Sequence, residues 1–179
     1  NANTGELIWH YQFVHHDLWD RDLPAPPNLV TVNHSDKSIP AVAQITKQGY
    51  VFLFHRETGK PLFNIEEVPV PLSELPGEQT WPTQPVPTKP SSFARQSEEL
   101  TVNDISPYCN NCDSLVTLFE NADRRNFAPP SLNPALILPG YDGGAEWGGA
   151  AADPEKGILY INSNEMAWFL QMRTNENNN

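Results

Sequence analysis

The chain has 179 residues, with 22 Asp+Glu against 11 Lys+Arg and a formal net charge of −11. That balance argues against nucleic acid as a partner, because phosphate binding needs a basic face, and against docking on an anionic leaflet. No run of about 18 apolar residues exists, so no transmembrane helix is predicted. Eighteen prolines work against long helices, while eight Phe, five Tyr and five Trp suit strands. The class expected is all-β with long loops. The chain opens at Asn1, inside a patterned segment, which reads as an internal piece of a longer protein.

In chain order, Glu6 to Val14 is predicted as the first strand, with Leu7, Ile8, Trp9, Tyr11 and Phe13. A polar block follows, His15-His16-Asp17-Leu18-Trp19-Asp20-Arg21-Asp22, and then prolines 24, 26 and 27. Leu29–Asn33, Ala41–Thr46 and Tyr50–His55 are strand candidates at hairpin spacing, with a turn at Lys47-Gln48-Gly49. Another turn, Arg56 to Lys60, leads into Pro61–Ile65. Glu66 to Pro90 holds seven prolines and is predicted as an extended loop, since proline cannot donate to a ladder.

Helical character is confined to Ser91–Asn126. Thr101 to Asp104 reads as a start signal, and Asp113 as the cap of a short helix through Leu115, Leu118 and Phe119. Four prolines between 129 and 139 restore extended chain. Strands return at Trp147–Ala152 and Ile158–Asn162, around a turn at Asp153 to Gly157. The break between the two strand-rich parts is too long for an ordinary hairpin loop, and long loops in compact domains are usually functional.

A weak repeat links the two parts. Thr4-Gly5-Glu6-Leu7-Ile8-Trp9 recurs as Thr58-Gly59-Lys60-Pro61-Leu62-Phe63, and Asp153 to Tyr160 has related turn chemistry without the Thr-Gly. A recurring turn-plus-aromatic unit suits a β-propeller, with the aromatic packed between neighbouring blades.

The polar block is the first candidate for chemistry. Asp20 has the chemistry of a general base toward a substrate hydroxyl; taken alone it reads first as a solvated acid or turn cap. Lys47, between two apolar strands, suits an oxyanion or carbonyl; taken alone it is a surface turn lysine. His15 and His16 are adjacent, and on a strand they point to opposite faces, which disfavours one shared metal. Cys109-Asn110-Asn111-Cys112 is a lone pair that lacks the following His of a haem attachment and the second pair of a zinc site. A local disulfide is the leading reading. Glu146-Trp147-Gly148-Gly149 offers close backbone approach to a flat ligand, and Asn162 at a strand end offers an amide to a polar edge. Taken alone, both read first as turn and core packing.

The block His15 to Ala25, then Lys47-Gln48-Gly49-Tyr50-Val51-Phe52-Leu53-Phe54, then Glu146-Trp147-Gly148-Gly149, closely resembles the pyrroloquinoline quinone (PQQ)-dependent dehydrogenases, nearest the membrane-type quinoprotein glucose branch. The resemblance implies an all-β fragment: two to three blades of an eight-bladed propeller. The blade segments would be about 1–65 and 146–173, with a Pro-rich loop and short helix inserted at about 66–145. It implies PQQ and a divalent cation, calcium or magnesium, whose ligands lie outside this chain. Asp20 matches the catalytic aspartate, Lys47 the cation on the quinone oxygens, Asn162 a cofactor-contacting asparagine and Trp147 a cofactor-side tryptophan. The activity implied is oxidation of a sugar or alcohol hydroxyl by hydride transfer to the quinone. Electrons would pass to a quinone or cytochrome in the periplasm, and the rest of the propeller chain would be a partner. The pair Cys109 and Cys112 departs from the glucose-branch pattern, so the resemblance implies a glucose-like aldose or an alcohol without fixing glucose itself as the substrate. The competing function is a non-catalytic periplasmic propeller scaffold, which needs no acid and cation facing one axis.

Overall fold

The computed structural model describes residues 1–34 and 36–174. Its central unit is an antiparallel sheet of β1 (Asn28–His34), β2 (Lys37–Ile45) and β3 (Val51–His55), in that spatial order. As the middle strand, β2 is covered on both faces, so Ala41 to Ile45 form a continuous buried run. Ala43 and Ile45 pair with Leu53 and Val51 and face Ala25, Ala145 and the partly buried Phe93. Val42 and Gln44 pair with Phe54 and Phe52 on the other face.

That second face receives the segment predicted as the first strand. Residues 6–14 join no ladder among the described residues, and the chain bends at Phe13 and Val14. Their period of two is used by side chains instead. Tyr11 meets Phe54 at a tilt with ring centroids 4.8 Å apart, and Phe13 meets Phe52 edge-on at 5.0 Å.

The Pro-rich stretch is a correction. Within it, β4 (Ile65–Pro69) and β5 (Thr83–Pro87) pair antiparallel. Pro69, Pro85 and Pro87 stand opposite Thr83, Glu67 and Ile65. The flanking bonds Thr88 N to Asn64 O and Val70 N to Pro82 O set the ladder's phase. That phase puts all three prolines at pairs that exchange no hydrogen bond, so their missing N–H groups cost nothing.

Helix α1 (Cys112–Asn121) begins at Cys112 with Asn111 as its cap, so Asp113 lies in the first turn. The Cys109–Cys112 disulfide closes the loop before it. Phe119 carries the helix onto Leu100, Leu136 and Leu138. Strand β6 (Ala135–Ile137) pairs with β9 (Trp168–Leu170), an element with no clear sequence signal. The ladder of β7 (Ala150–Asp153) with β8 (Ile158–Ile161) starts later than expected, because Gly149, at φ +64°, closes a turn onto Glu146 O.

The repeat has a common geometry. Gly5, Gly59 and Gly157 have φ near +71°, +68° and +66°, and each donates its N–H to the carbonyl four residues back. In each turn that first residue also takes the N–H two residues on: Asn1 from Asn3, His55 from Glu57, Asp153 from Glu155. The aromatic of one repeat covers the turn of the next. Trp9 donates Nε1–H to Arg56 O at 3.0 Å, and a Cβ on Gly59 would stand 2.6 Å from its ring. Gly59→Val therefore meets both a left-handed backbone and a filled space. It is expected to destabilise by about 2 kcal/mol or more, read as a lowered melting temperature of the full-length protein. Gly5→Val, with nothing within 4 Å of its Cβ position, is the milder control.

Candidate active site

The site is built on the polar block. Asp17 folds it back on itself, its carboxylate accepting the Trp19 N–H at 2.9 Å and the Arg21 N–H at 2.5 Å. Trp19 is buried, gives Nε1–H to Ala128 O and packs on Phe127. Asp20 follows with φ +57°, a left-handed conformation that Asp tolerates better than most residues. Alternation then sends Asp20 and Asp22 to one side and Arg21 to the other.

Lys47 joins these acids from the turn between β2 and β3. Its Nζ lies 2.6 Å from Asp22 Oδ1, 3.0 Å from Asp20 Oδ2 and 3.5 Å from Glu146 Oε1. The lysine side chain is 8% exposed, whereas those of Asp20 and Asp22 are 61% and 58% exposed. Burial alone would lower the Lys47 pKa, but hydrogen bonds to Asp22 and Asp20 more than offset it. The ammonium is held well above its ordinary range.

The third wall is glycine. A Cβ on Gly143, at φ +73°, would stand 2.5 Å from Lys47 Cγ, and Gly144 donates its N–H to Lys47 O at 2.7 Å. Arg21 locks the arrangement from beneath. Its buried guanidinium donates to Lys47 O at 3.4 Å, to Gly140 O at 3.1 Å and to Pro139 O. Burial lowers its pKa to about 10 despite Asp17 nearby.

Asp20 and Lys47 are thus brought into direct contact. Among the described residues, no hydrogen bond joins Trp147 or Asn162 to that pair. Trp147 follows Glu146 and is 81% exposed. Asn162 Nδ2 is 3.7 Å from the Cβ position of Gly148, and Asn164 N–H reaches Gly144 O. His15 and His16 contact different carboxylates, Glu67 at 3.2 Å and Glu78 at 2.9 Å. Among the described residues, no cluster of three or more His, Cys, Asp or Glu is arranged to hold a metal. Sequence reasoning missed the roles of Asp22, Glu146 and Arg21. The first two sit inside the quoted motifs, but nothing local shows that both turn toward one lysine.

All 179 residues match the family described as PQQ: glucose/ethanol/alcohol dehydrogenase, beta-propeller domain. The chain belongs to this family. It is 38% identical over 175 residues to the quinoprotein glucose dehydrogenase of Gluconobacter oxydans, covering 96% of this chain and 21% of that protein. It is 36% identical to the quinoprotein glucose dehydrogenase of Escherichia coli, over 90% of this chain and 20% of that protein. It is 34% identical to the glycerol dehydrogenase large subunit of G. oxydans, over 97% and 24%. The chain therefore spans about a fifth of the length of the curated relatives it matches. A solved quinohemoprotein alcohol dehydrogenase from Pseudomonas putida HK5 superposes over 98% of this chain and 20% of its own, with TM-score 0.54 and 19% identity. That likeness concerns the fold: a partial propeller, with no closed ring of sheets among the described residues.

The residues of the rim fit PQQ, an o-quinone bearing carboxylates. A lysine kept protonated and, against its stem, a backbone stripped of a Cβ atom by glycine form the donor and the clearance that a flat, oxygen-rich ring requires. The Glu146 contact is the longest of the three on Nζ.

Proposed function

We propose that this chain supplies the base and the cofactor cation of a PQQ-dependent dehydrogenase that oxidises the hydroxyl of a sugar or alcohol. The observation that carries the reading is the 3.0 Å contact of Asp20 with Lys47, two residues from separate loops placed on one rim. When bound, PQQ supplies the quinone that takes up the hydride leaving the substrate carbon as its hydroxyl becomes a carbonyl. Asp20 accepts the hydroxyl proton. Its Oδ2 is held by Lys47, and Oδ1 has no partner among the described residues. Lys47 would hold the quinone through its ammonium, which would favour negative charge on the cofactor's oxygens. Asn162 and Trp147 would help hold the cofactor, the first through its amide and the second through its indole. A divalent cation, calcium or magnesium, is held by residues outside this chain.

The names of the relatives (glucose, glycerol, quinate) support a polyol or aldose hydroxyl as the substrate class. Electrons leave to a quinone or cytochrome. The disulfide suits an oxidising compartment, the periplasm. We read residues 1–65 and 146–173 as blade segments and 66–145 as an insertion between them.

The test is reconstitution of the full-length protein with PQQ and calcium, following dye reduction with a panel of aldoses and alcohols. Turnover that needs both PQQ and one of these substrates is the expected result. A folded protein that binds no PQQ would overturn the reading in favour of a non-catalytic scaffold.

A further inference from the structure

The turn that carries Lys47 is held from several directions. Thr46 O takes the Gly49 N–H at 3.0 Å, and Tyr50 O takes the Thr46 N–H at 3.0 Å, which closes the turn on itself. Lys47 O is taken by Gly144 and Arg21, both part of the rim already described. The two remaining carbonyls, at the apex, are taken by the insertion. Gly49 O accepts the Phe93 N–H at 2.8 Å, and Gln48 O accepts Nε2–H of Gln96 at 2.9 Å.

Gln96 lies far from the polar block in sequence, yet it spends its whole amide here. Nε2 also donates to Ala94 O at 3.1 Å, and Oε1 accepts the Tyr50 hydroxyl at 3.2 Å. This orientation is the only consistent one. A flipped amide would set its oxygen against two carbonyl oxygens. The approach is close as well: Gly49 has φ +88°, and a Cβ there would stand 2.7 Å from Ala94 Cβ. Tyr50 and Gln48 are buried, so water does not replace what Gln96 supplies.

We propose that Gln96 is a positioning residue for Lys47: it fixes the apex of the β2–β3 turn and so the place from which the ammonium meets the cofactor. The residue touches neither Asp20 nor the Lys47 side chain and acts only through the turn. On this account the insertion serves as a buttress behind the site. The proposal rests on the reading of Lys47 as the cofactor's cation.

The test uses the full-length protein with Gln96→Leu and Gln96→Met, which remove all three side-chain bonds at similar volume. Each is made alone and on a Lys47→Ala background. PQQ affinity is titrated by absorbance, and melting temperature is followed alongside. In the otherwise native protein either variant is expected to weaken PQQ binding about tenfold, with melting temperature lowered by only a few degrees. On the Lys47→Ala background the same change is expected to alter affinity less than about twofold, because the group being positioned is gone. A general loss of structure would weaken binding equally on both backgrounds, and that result overturns the proposal. Unchanged affinity in both single variants overturns it too. If Lys47→Ala alone leaves PQQ affinity intact, the reading of Lys47 fails instead, which separates the two failures.

Discussion

Asp20→Asn in the full-length protein is expected to cut turnover by about 10²–10⁴-fold while leaving PQQ affinity within about threefold, since a positioned general base typically supplies that much of the rate. The substitution keeps shape and keeps an oxygen for Lys47 at the Oδ2 position, 3.0 Å from Nζ. It removes the negative charge and the proton affinity. Binding groups are spared, so the loss falls on kcat with KM nearly unchanged, the signature of an interaction made in the transition state. A change confined to KM would make Asp20 a binding acid. Single-turnover bleaching of the PQQ absorbance after substrate addition separates the two.

Lys47→Ala is expected to lower turnover by about 10²–10³-fold, the usual weight of a donor aimed at developing negative charge, and to weaken PQQ binding as well. Two effects act together. The quinone loses its cation, and Asp20, Asp22 and Glu146 lose the ammonium that holds their three carboxylates together. Uncompensated like charges then repel one another and an anionic cofactor. The pH dependence follows from the sign of the Lys47 shift. Its pKa is raised in the folded protein above the ordinary 10.5, so its contribution is complete below 10.5 and lost only as pH rises through the higher folded value. PQQ affinity of the native protein should show no Lys47 titration between pH 7 and that ordinary value. A lysine titrating near neutrality would show one, and absorbance titrations across the range decide it.

Much of this was legible in the sequence because it is local. The Thr-Gly turns announce themselves by composition, and all three turn glycines share one backbone conformation. The hairpins around Gly49 and Gly157 follow from alternation and turn chemistry. The pair Asp20 and Lys47 was legible through motif resemblance, and the structure brings the two into contact. What was hidden is non-local. The β4–β5 ladder was masked by prolines whose harmlessness depends on register, which no single strand reveals. The stretch 6–14 has strand alternation but uses it for tilted and edge-on aromatic contacts with Phe54 and Phe52. Arg21 looks like one more charge in a polar block, and only the fold shows it buried among carbonyls. Glu146 and Asp22 become partners of Lys47 only when the glycine segment 143–144 passes against the lysine stem.

The most direct test of the account is a crystal structure of the full-length protein with PQQ bound. The account predicts the quinone against this rim, with an oxygen within hydrogen-bond distance of Lys47 Nζ and the Asp20 carboxylate facing the space where a substrate hydroxyl would sit. A cofactor bound elsewhere, with Lys47 still enclosed by Asp20, Asp22 and Glu146, would contradict it.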